Sequence, residues 1–355
     1  MKILSVVGAR PQFIKSAMVE KELLKHSGVE NVVVHTGQHP DKNMSEIFFS
    51  ELGLSLPKYN LGVSDLSHGA MTGRMLEGIE KVLLKERPQI ALVYGDTNST
   101  LAGALASAKL GIPLAHVEAG LRSYKMTMPE EINRILSDRV SAKLFCPTDN
   151  AVSNLIKEGY NKYGGKIIKC GDVMFDAVKH YSQISQTKSK IVSELGIKEY
   201  VLCTIHRAEN TDDAKTLMSI IKALNKINRD VQVIIPLHPR TKKVLNAIKP
   251  KVDFKIIEPV GYLSMLELIG KCSLVITDSG GVQKEAFFLK KHCVTVREET
   301  EWVELVENGY NILAGSDEHK IFKAFHKMIN KKSNFGKCYY GNGNASLKIV
   351  EELML

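Results

Sequence analysis

Short apolar segments rich in β-branched residues recur along the chain, and each is followed by a segment with helical periodicity. In the first half the apolar segments are residues 3–7, 32–35, 90–94, 114–117, 143–146 and 167–170. In the second half they are residues 200–205, 231–236, 254–257, 274–277, 293–296 and 311–314. This alternation of strands and helices, run twice, predicts an α/β protein of two Rossmann-like domains with parallel, doubly wound sheets.

The chain length agrees with two domains, because 355 residues exceed the ~250–300 residues at which single cores stop growing. We place the boundary near Val173, after the last strand of the first half. Residues 1–172 then form the N-terminal domain and residues 173–346 the C-terminal domain. One helix of the second domain is predicted to bury a face that consists of Leu217, Ile220, Ile221, Leu224 and Ile227.

Composition narrows the class of protein. Of all residues 44% are hydrophobic, but no apolar run approaches the ~18 residues of a membrane span, so we expect a cytoplasmic protein without membrane contact. The six cysteines are scattered, with no Cys-x-x-Cys pair and no H-E-x-x-H motif, so we expect neither a disulfide framework nor a metal site. We assign the net charge of +9 to a lysine-rich surface rather than to nucleic-acid binding, since no basic-aromatic module occurs.

Polar and ionisable residues follow the strands in both halves. They are GARP at 8–11, TGQH at 36–39, GDTN at 95–98, EAGLR at 118–122, HRAE at 206–209, HPR at 238–240 and DSGG at 278–281. Open parallel sheets bind ligands at the carboxyl ends of their strands. We therefore expect two such edges facing each other across one inter-domain cleft.

Three acids from separate elements of the first half are candidates for proton transfer. Asp96 and Glu118 each follow a strand, and Glu130 lies in the first turn of a predicted helix. A structural alternative exists for two of them, since Asp96 or either of the next two residues would serve as a helix cap and Glu130 is an ordinary first-turn acid. The apolar face predicted for the helix of Glu130 consists of Ile132, Ile135, Leu136 and Val140. Together the three acids indicate acid–base chemistry at one sheet edge.

The segment TDSGG at 277–281 ends a strand and begins a helix. Backbone N–H groups at Ser279, Gly280 and Gly281, together with the helix dipole, suit a phosphate, and Glu285 is placed to accept hydrogen bonds from a ribose diol. The alternative is an ordinary strand-to-helix turn. The loop after the first strand lacks both the G-x-G-x-x-G fingerprint and a Walker A sequence, so we expect no dinucleotide cofactor.

Five basic residues are candidates for binding a diphosphate. Arg10 and Lys15 flank the start of the first helix, with surface solvation as the alternative. His206 and Arg207 follow a strand of the second half and would neutralise a pyrophosphate leaving group. His238 follows the next strand, where a helix-capping histidine is the favoured alternative.

The polar motifs recur in a fixed order along nearly the whole chain. They are GARPQFIK (8–15), HTGQH (35–39), YGDTNST (94–100), HVEAGLRS (116–123), MPEEINR (128–134), HRAEN (206–210), LHPRT (237–241), TDSGGVQKEA (277–286) and YGNGNAS (340–346). This series resembles the non-hydrolysing UDP-N-acetylglucosamine 2-epimerase family. The resemblance implies the glycosyltransferase-B fold, UDP held mainly by the second domain, a last helix (347–355) that joins the first domain, and a homodimer.

By that resemblance Asp96, Glu118 and Glu130 match the family's catalytic acids, and His206 matches its catalytic histidine. The residues that match its nucleotide contacts are Arg10, Ser279, Gly280 and Glu285. The implied reaction is anti elimination of UDP across C1–C2 of a UDP-N-acetylamino sugar, which gives 2-acetamidoglucal. Re-addition with a proton delivered to the opposite face of C2 completes the epimerisation, for surface polysaccharide synthesis.

The sequence leaves two candidate sugars for the substrate. The strings GARPQF, MTGRML (71–76), PEEINRILSD and TEWVE resemble the branch that acts on UDP-2,3-diacetamido-2,3-dideoxyglucuronate in O-antigen synthesis, rather than on UDP-N-acetylglucosamine itself. A uronate carboxylate requires a further cation, for which Arg122 and Arg74 are candidates. The resemblance also implies that Gln38, His39 and Arg74 lie near a regulatory sugar-nucleotide site, although residues 40–44 depart from the family pattern.

Three other functions compete with epimerisation. A UDP-sugar-dependent glycosyltransferase of the same fold requires an acceptor groove and no base for C2. A hydrolysing 2-epimerase releases free sugar and UDP. A sugar-nucleotide-binding regulator is not an enzyme and requires no catalytic acids, so three acids beside one histidine argue against it.

Overall fold

Two parallel β-sheets form the framework of the protein. The computed structural model describes residues 1–38, 49 and 51–355, so the predicted regulatory contact of His39 lies outside the described residues. The chain divides into two units, Met1–Ala177 with Cys338–Leu355, and Val178–Lys337. The sequence analysis predicts different limits, 1–172 with 347–355 for the first domain and 173–346 for the second, and these limits remain a prediction.

The first unit contains a seven-stranded sheet in the order β3-β2-β1-β4-β5-β6-β7, with every neighbouring pair parallel. Its strands are β1 (Lys2–Val7), β2 (Glu30–His35), β3 (Tyr59–Asn60), β4 (Ile90–Tyr94), β5 (Leu114–Val117), β6 (Lys143–Cys146) and β7 (Lys166–Lys169). Its helices are α1 (Arg10–Leu23), α2 (His68–Glu86), α3 (Asn98–Lys109), α4 (Pro129–Arg139), α5 (Asp149–Lys157) and a 3₁₀ turn (Tyr160–Lys162). Helix α6 (Val173–Lys188) then contains the passage from the first unit to the second.

The second unit contains a six-stranded parallel sheet in the order β10-β9-β8-β11-β12-β13. Its strands are β8 (Tyr200–Thr204), β9 (Gln232–Pro236), β10 (Lys255–Ile257), β11 (Leu274–Thr277), β12 (Cys293–Thr295) and β13 (Asn311–Leu313). Its helices are α7 (Ile191–Glu194), α8 (Ala208–Thr211), α9 (Ala214–Ile227), α10 (Pro239–Ile248), α11 (Tyr262–Lys271), α12 (Gly280–Phe288), α13 (Val303–Glu307) and α14 (Glu318–Met328). The last helix, α15 (Ala345–Met354), belongs to the first unit.

Both sheets have the doubly wound order in which the chain moves outward from a central pair of strands, first to one side and then to the other. The predicted fold class, two Rossmann-like α/β units, is therefore confirmed. The reversal lies between β1 and β4 in the first unit and between β8 and β11 in the second. Ligands bind at such reversals in open α/β sheets. Among the described helices, none combines the length and apolarity required to span a bilayer.

Helix α9 follows its predicted pattern. All five residues of its predicted apolar face are buried against the second sheet. Asp213 caps the helix by accepting a hydrogen bond from the N–H of Thr216 at 2.9 Å, as expected for an acid at this position.

Helix α4 contradicts the predicted pattern. Ile132 and Leu136 are each 40% exposed, so the predicted apolar face points largely outward. The helix instead buries polar residues, which are Glu131, Asn133, Arg134, Ser137 and Asp138. The prediction was wrong because four of these side chains, those of Glu131, Asn133, Arg134 and Asp138, form hydrogen bonds or ion pairs with residues outside the helix, and paired polar groups can be buried at little cost.

The C-terminal helix is attached to the first unit by a buried carboxylate. Asp176 accepts hydrogen bonds from the N–H of Ala345 at 3.1 Å and from the N–H and hydroxyl of Ser346 at 2.7 and 2.6 Å. A residue distant in sequence thus satisfies the first N–H groups of α15, which the helix cannot satisfy itself. The apolar side of α15 is buried through Ile349, Val350 and Leu353.

Candidate active site

The loop after β1 is fastened to the end of β4. Gly8 and Ala9 both donate their N–H groups to the side-chain oxygen of Gln12, at 2.8 and 3.0 Å. The amide nitrogen of Gln12 donates in turn to the carbonyl of Tyr94 at 2.8 Å. Arg10, a predicted diphosphate contact, is the half-buried first residue of α1 in this loop. The two strands at the sheet reversal therefore end in one cross-linked loop region.

Asp96 lies in that region, immediately after β4. It is not the cap of α3, because the side chain of Thr97 performs that role by accepting the N–H of Thr100. The Asp96 carboxylate is 34% exposed and pairs with Arg134, whose Nη2 lies 2.9 Å from Oδ2. Asn133 donates to the Asp96 carbonyl at 2.9 Å. The side chain is thus oriented by α4 while it keeps access to a ligand.

Glu118 follows β5, the neighbouring strand, and has a φ of +75°. A non-glycine residue in this left-handed region is strained by about 1–2 kcal/mol, and such strain clusters at functional sites. Its carboxylate forms an ion pair with the ammonium of Lys15, and each side chain is 9% exposed. Lys15 was predicted to contact a diphosphate; that role stays a prediction, since the lysine here neutralises Glu118.

Gly95 lies beneath this ion pair. A Cβ at this position would come within 3.3 Å of Lys15 Nζ and 3.4 Å of a Glu118 oxygen, and the residue has a φ of +64°. Only glycine satisfies both the conformation and the close approach. The loop between β4 and Asp96 is therefore shaped by the same ion pair that holds Glu118.

The two glutamates at the start of α4 have different surroundings. Glu131 is fully buried and accepts the N–H groups of Ser123 and Tyr124 at 3.0 and 2.9 Å, while it also pairs with Arg134. Glu130, the predicted catalytic acid, is half-buried in the first turn. Glu131 therefore anchors the loop 118–128, and Glu130 is the member of the pair that remains accessible. We call Asp96, Glu118 and Glu130 with Lys15 the acidic half-site.

A buried polar network that the sequence analysis missed lies next to the acidic half-site. It connects His116, Asp138, Arg122 and Glu158. Burial alone would raise the pKa of Asp138, but hydrogen bonds and charge from His116 and Arg122 outweigh it and lower that pKa. The proposal that Arg122 binds a substrate carboxylate is wrong, because its side chain is fully buried and committed to Asp138 and Glu158. Two features of the sequence could have indicated this network. They are a histidine within an apolar strand, His116, and an aspartate on the buried side of α4, Asp138.

The second unit holds the glycine-rich turn at the end of β11. Ser279 caps α12 through its hydroxyl, which accepts the N–H of Val282. Gly280 and Gly281 are half-buried in the first turn, and Glu285 is 5% exposed one turn later. This helix begins with small residues, and the positive end of its dipole is favourable for a phosphate.

Residues outside the predicted set shape this turn. Trp302 donates its indole N–H to the carbonyl of Gly280 at 3.0 Å, and the ammonium of Lys284 lies 4.0 Å from the centre of its ring. Arg297, fully buried, makes two 3.1 Å hydrogen bonds to Glu301. The segment 297–302 therefore packs against the glycine-rich turn and stabilises it. The sequence analysis did not predict this contact.

His206 and Arg207 follow β8, the strand beside β11. Asp278, fully buried, accepts the N–H of His206 at 3.0 Å and that of Arg207 at 2.9 Å. The same carboxylate lies 3.2 Å from Nδ1 of His206, whose side chain is 38% exposed. Burial alone would raise the pKa of Asp278, but the hydrogen bond and charge of His206 dominate and lower it. One ring nitrogen of His206, Nδ1, is therefore held by Asp278, while more than a third of the side chain remains exposed.

His238 begins α10 close to His206, with ring centroids 5.5 Å apart. Its Nδ1 accepts the N–H of Arg240 at 3.2 Å, so His238 is a helix cap, the alternative favoured from the sequence. Its predicted contact with UDP stays a prediction. We call His206, Arg207, His238, Ser279, Gly280, Gly281 and Glu285 the glycine-rich half-site.

The described residues contain no group of three or more histidine, cysteine, aspartate or glutamate side chains arranged to hold a metal ion. The chemistry of both half-sites is that of carboxylates, imidazoles, ammonium and guanidinium groups and backbone N–H groups. These groups transfer protons and stabilise anions.

Comparison with known proteins places the chain among sugar-nucleotide enzymes. A model of the family described as UDP-N-acetylglucosamine 2-epimerase matches residues 21–354. The chain is 51% identical to UDP-2,3-diacetamido-2,3-dideoxy-D-glucuronate 2-epimerase of Pseudomonas aeruginosa, and 51% identical to a UDP-N-acetylglucosamine 2-epimerase homolog of Methanococcus maripaludis, with 99% of each chain covered in both cases. Among solved structures, UDP-GlcNAc 2-epimerase of Methanocaldococcus jannaschii in complex with UDP-GlcNAc and UDP has a TM-score of 0.94 at 44% identity, covering 100% of this chain and 99% of that one.

Proposed function

Since the chain belongs to the UDP-N-acetylglucosamine 2-epimerase family, we propose that it inverts C2 of a UDP-N-acetylamino sugar without net hydrolysis. The observation that carries the proposal is the acidic half-site. Asp96 follows β4, which borders the sheet reversal, and Glu118 follows the neighbouring strand β5. Each carboxylate is held by a cation, Arg134 for Asp96 and Lys15 for Glu118. Inverting a carbon that bears hydrogen requires groups able to exchange a proton on both of its faces.

The reaction we propose has two half-reactions. A carboxylate of the acidic half-site removes the proton from C2, the C2–H electron pair forms the C1–C2 double bond, and the C1–O bond breaks to release UDP. The intermediate is 2-acetamidoglucal. A second carboxyl group then delivers a proton to the opposite face of C2 as a diphosphate oxygen of UDP re-forms the bond to C1. Atoms and charge balance without an oxidant, a metal or a cofactor.

The glycine-rich half-site is proposed to hold UDP during both half-reactions. The N–H groups at the start of α12 and the dipole of that helix are suited to the diphosphate. His206 and Arg207 supply donors for the charge that develops as UDP leaves. Arg10 and His238 are proposed as further contacts, and Glu285 as the acceptor for the ribose hydroxyl groups.

The proposed substrate is UDP-2,3-diacetamido-2,3-dideoxyglucuronate or UDP-N-acetylglucosamine. The 51% identity to the Pseudomonas enzyme named for the first sugar supports the uronate. The 44% identity to the Methanocaldococcus enzyme supports the second. Arg74, which is 71% exposed and pairs loosely with Glu77 at 3.6 Å, stays the candidate cation for the uronate carboxylate.

The deciding experiment incubates the protein separately with each UDP-sugar in D₂O and follows C2 by proton NMR. We expect deuterium at C2 and a second epimer for one of the two sugars, with UDP remaining bound to sugar at equilibrium. Exchange at C2 would exclude a glycosyltransferase, and stoichiometric free UDP and free sugar would instead establish a hydrolysing enzyme. No exchange with either sugar would refute the proposed function.

The roles of individual residues are tested by isosteric replacements of Asp96, Glu118, Glu130 and His206 with the corresponding amides or asparagine. We expect each to lower kcat by at least about 100-fold, within the 10²–10⁴-fold range of general acid–base catalysis. Glu131→Gln is unsuitable as a control because its carboxylate is structural; Glu30→Gln, an exposed acid at the start of β2, should retain full activity. A Glu130→Gln enzyme with wild-type kcat would remove Glu130 from the mechanism.

We further propose that the protein is a cytoplasmic homodimer. All six cysteines are free thiols, as is usual in a reducing compartment. The exposed apolar residues Tyr124, Met126, Ile132 and Leu136 lie on or near α4 and are candidates for burial against a second copy. Sedimentation equilibrium should give twice the chain mass of 39.4 kDa, and a Leu136→Glu variant should shift it towards the monomer; a monomeric wild type would contradict the proposal.

A further inference from the structure

His116 lies at the centre of β5 and is completely buried. Both nitrogens of its ring are within hydrogen-bonding distance of oxygen atoms. Nδ1 lies 2.7 Å from Oδ1 of Asp138, and Nε2 lies 2.7 Å from the carbonyl oxygen of Gly95. These distances are those of strong hydrogen bonds.

The partners determine the protonation state of the ring. A backbone carbonyl only accepts, and so does an ionised carboxylate, whereas a neutral imidazole has one donor and one acceptor nitrogen. Asp138 is held in its ionised form, because Oδ2 also accepts the N–H of Gly120 at 3.1 Å and a guanidinium N–H of Arg122 at 2.7 Å. Each ring nitrogen of His116 therefore faces an acceptor, and only the imidazolium form donates from both nitrogens.

The ring of His116 and its partner Asp138 connect the loops that carry the two strand-end acids. The carbonyl that it holds belongs to Gly95, the residue before Asp96, and the other side of Gly95 carries the Lys15–Glu118 ion pair. Asp138, its partner, fixes the turn after Glu118 through the N–H of Gly120. A single buried ion pair therefore restrains the peptide next to Asp96 and the turn next to Glu118.

We propose, on the basis of the function proposed above, that His116 is a buried imidazolium that positions Asp96 and Glu118 for catalysis by holding the Gly95 peptide. It does not touch the substrate. Its charge is balanced within the network by Asp138, and that of Arg122 by Glu158. The surrounding charged groups that face the loop are Lys15 and Glu118 on the opposite side of Gly95.

The protonation state can be measured on the free protein. Histidine labelled with ¹⁵N would be incorporated into the full chain, and the signals of His116, one of 11 histidines, would be assigned by their loss in a His116→Gln variant. We expect both ring nitrogens of His116 to carry a hydrogen at neutral pH. A neutral ring with one unprotonated nitrogen would overturn the proposal. Since no substrate is present, this result is independent of whether the proposed reaction is correct.

Two replacements of His116 distinguish a role in positioning the catalytic acids from a role in folding. The amide nitrogen of asparagine falls near the position of Nδ1, so His116→Asn keeps the bond to Asp138 and loses the bond to Gly95. The amide nitrogen of glutamine falls near Nε2, so His116→Gln keeps the bond to Gly95 and leaves Oδ1 of Asp138 without its donor. Positioning through Gly95 therefore predicts opposite rankings for activity and for stability.

We expect His116→Asn to lower kcat by about 10- to 100-fold, the usual effect of a small displacement of catalytic groups, with KM within about twofold of wild type. His116→Gln should retain kcat within about threefold but melt at a lower temperature than His116→Asn. If the variant with the lower melting temperature also has the lower kcat, His116 is only structural and the proposal fails. If wild type exchanges no C2 proton at all, the proposed function fails, while the ¹⁵N measurement still decides the charge of the ring.

Discussion

Asp278 holds the loop that carries His206, and replacing it with asparagine tests whether its charge matters for catalysis. In the folded protein one carboxylate oxygen, Oδ2, accepts three donors: the N–H groups of His206 and Arg207 and the side-chain amide of Asn210, at 3.0, 2.9 and 3.1 Å. The other oxygen, Oδ1, lies 3.2 Å from Nδ1 of His206. Asparagine has almost the same shape but only one oxygen.

The single oxygen of the variant should take the place that accepts three donors, so the amide NH₂ would face Nδ1 of His206. That nitrogen must then accept, and in the neutral ring the hydrogen moves to Nε2. A hydrogen bond to a charged group contributes about 1.5–3 kcal/mol. If that stabilisation is lost from the imidazolium in the transition state, kcat falls by about 10- to 150-fold.

The assay is the initial rate of C2 deuterium incorporation at saturating UDP-sugar, with thermal unfolding to verify that the variant is folded. Asp213→Asn is the matched control, since Asp213 caps α9 in the same unit, and we expect it to keep wild-type activity. The reasoning would be refuted by an Asp278→Asn enzyme that is folded and within about twofold of wild-type kcat.

Three further predictions concern strain, helix attachment and acid stability. Glu118→Gly and Glu118→Gln should both be inactive, but the glycine variant should be more stable by about 1 kcal/mol because glycine adopts the φ of +75° without strain; equal melting temperatures would contradict the strain. Asp176→Ala leaves two buried N–H groups of α15 without an acceptor and should cost about 2–4 kcal/mol in urea unfolding, with protease cleavage near the C-terminus appearing first. The pKa of Glu86 is lowered to about 2 by hydrogen bonds from Lys58, Tyr59 and Lys2, so its contribution to stability is complete above its ordinary value of 4.5 and is lost as the pH falls towards 2. Glu86→Gln should therefore be less stable than wild type at pH 7, and the difference should disappear near pH 2; a difference that persists there would disprove this origin.

The sequence predicts those features of the fold that depend on apolar periodicity. The buried stripe of α9 is an example, because five apolar residues at helical spacing have one favourable environment, the sheet. The strand-end positions of Asp96 and Glu118 follow equally from the alternation of strands and helices. Helix α4 could not be predicted in this way, since its inward face is polar and its burial depends on partners such as the N–H groups at Ser123 and Tyr124.

Ion pairs between residues far apart in the sequence were the second feature that could not be predicted from the sequence. The sequence shows Lys15 as a cation near a helix start, which suits a phosphate, but its partner Glu118 lies 103 residues away. Arg122 was one of two candidates for binding a substrate carboxylate, although Asp138 and Glu158 neutralise it in the folded chain. The local sequence around a charged residue does not indicate which distant residue will pair with it. Its role can therefore be identified only from the folded structure, in which the sheet brings the loops together.

The attachment of α15 to Asp176 has a consequence for synthesis on the ribosome. The first unit consists of Met1–Ala177 and Cys338–Leu355, so all of the intervening unit must be translated before the first can be completed. Until then the carboxylate of Asp176 has no helix to cap, and the surface that receives Ile349, Val350 and Leu353 is exposed. The second unit is a continuous stretch of chain and can finish folding earlier, even though domains usually complete in order from the N-terminus. The core of the first unit therefore closes only after the whole of Val178–Lys337 has been translated.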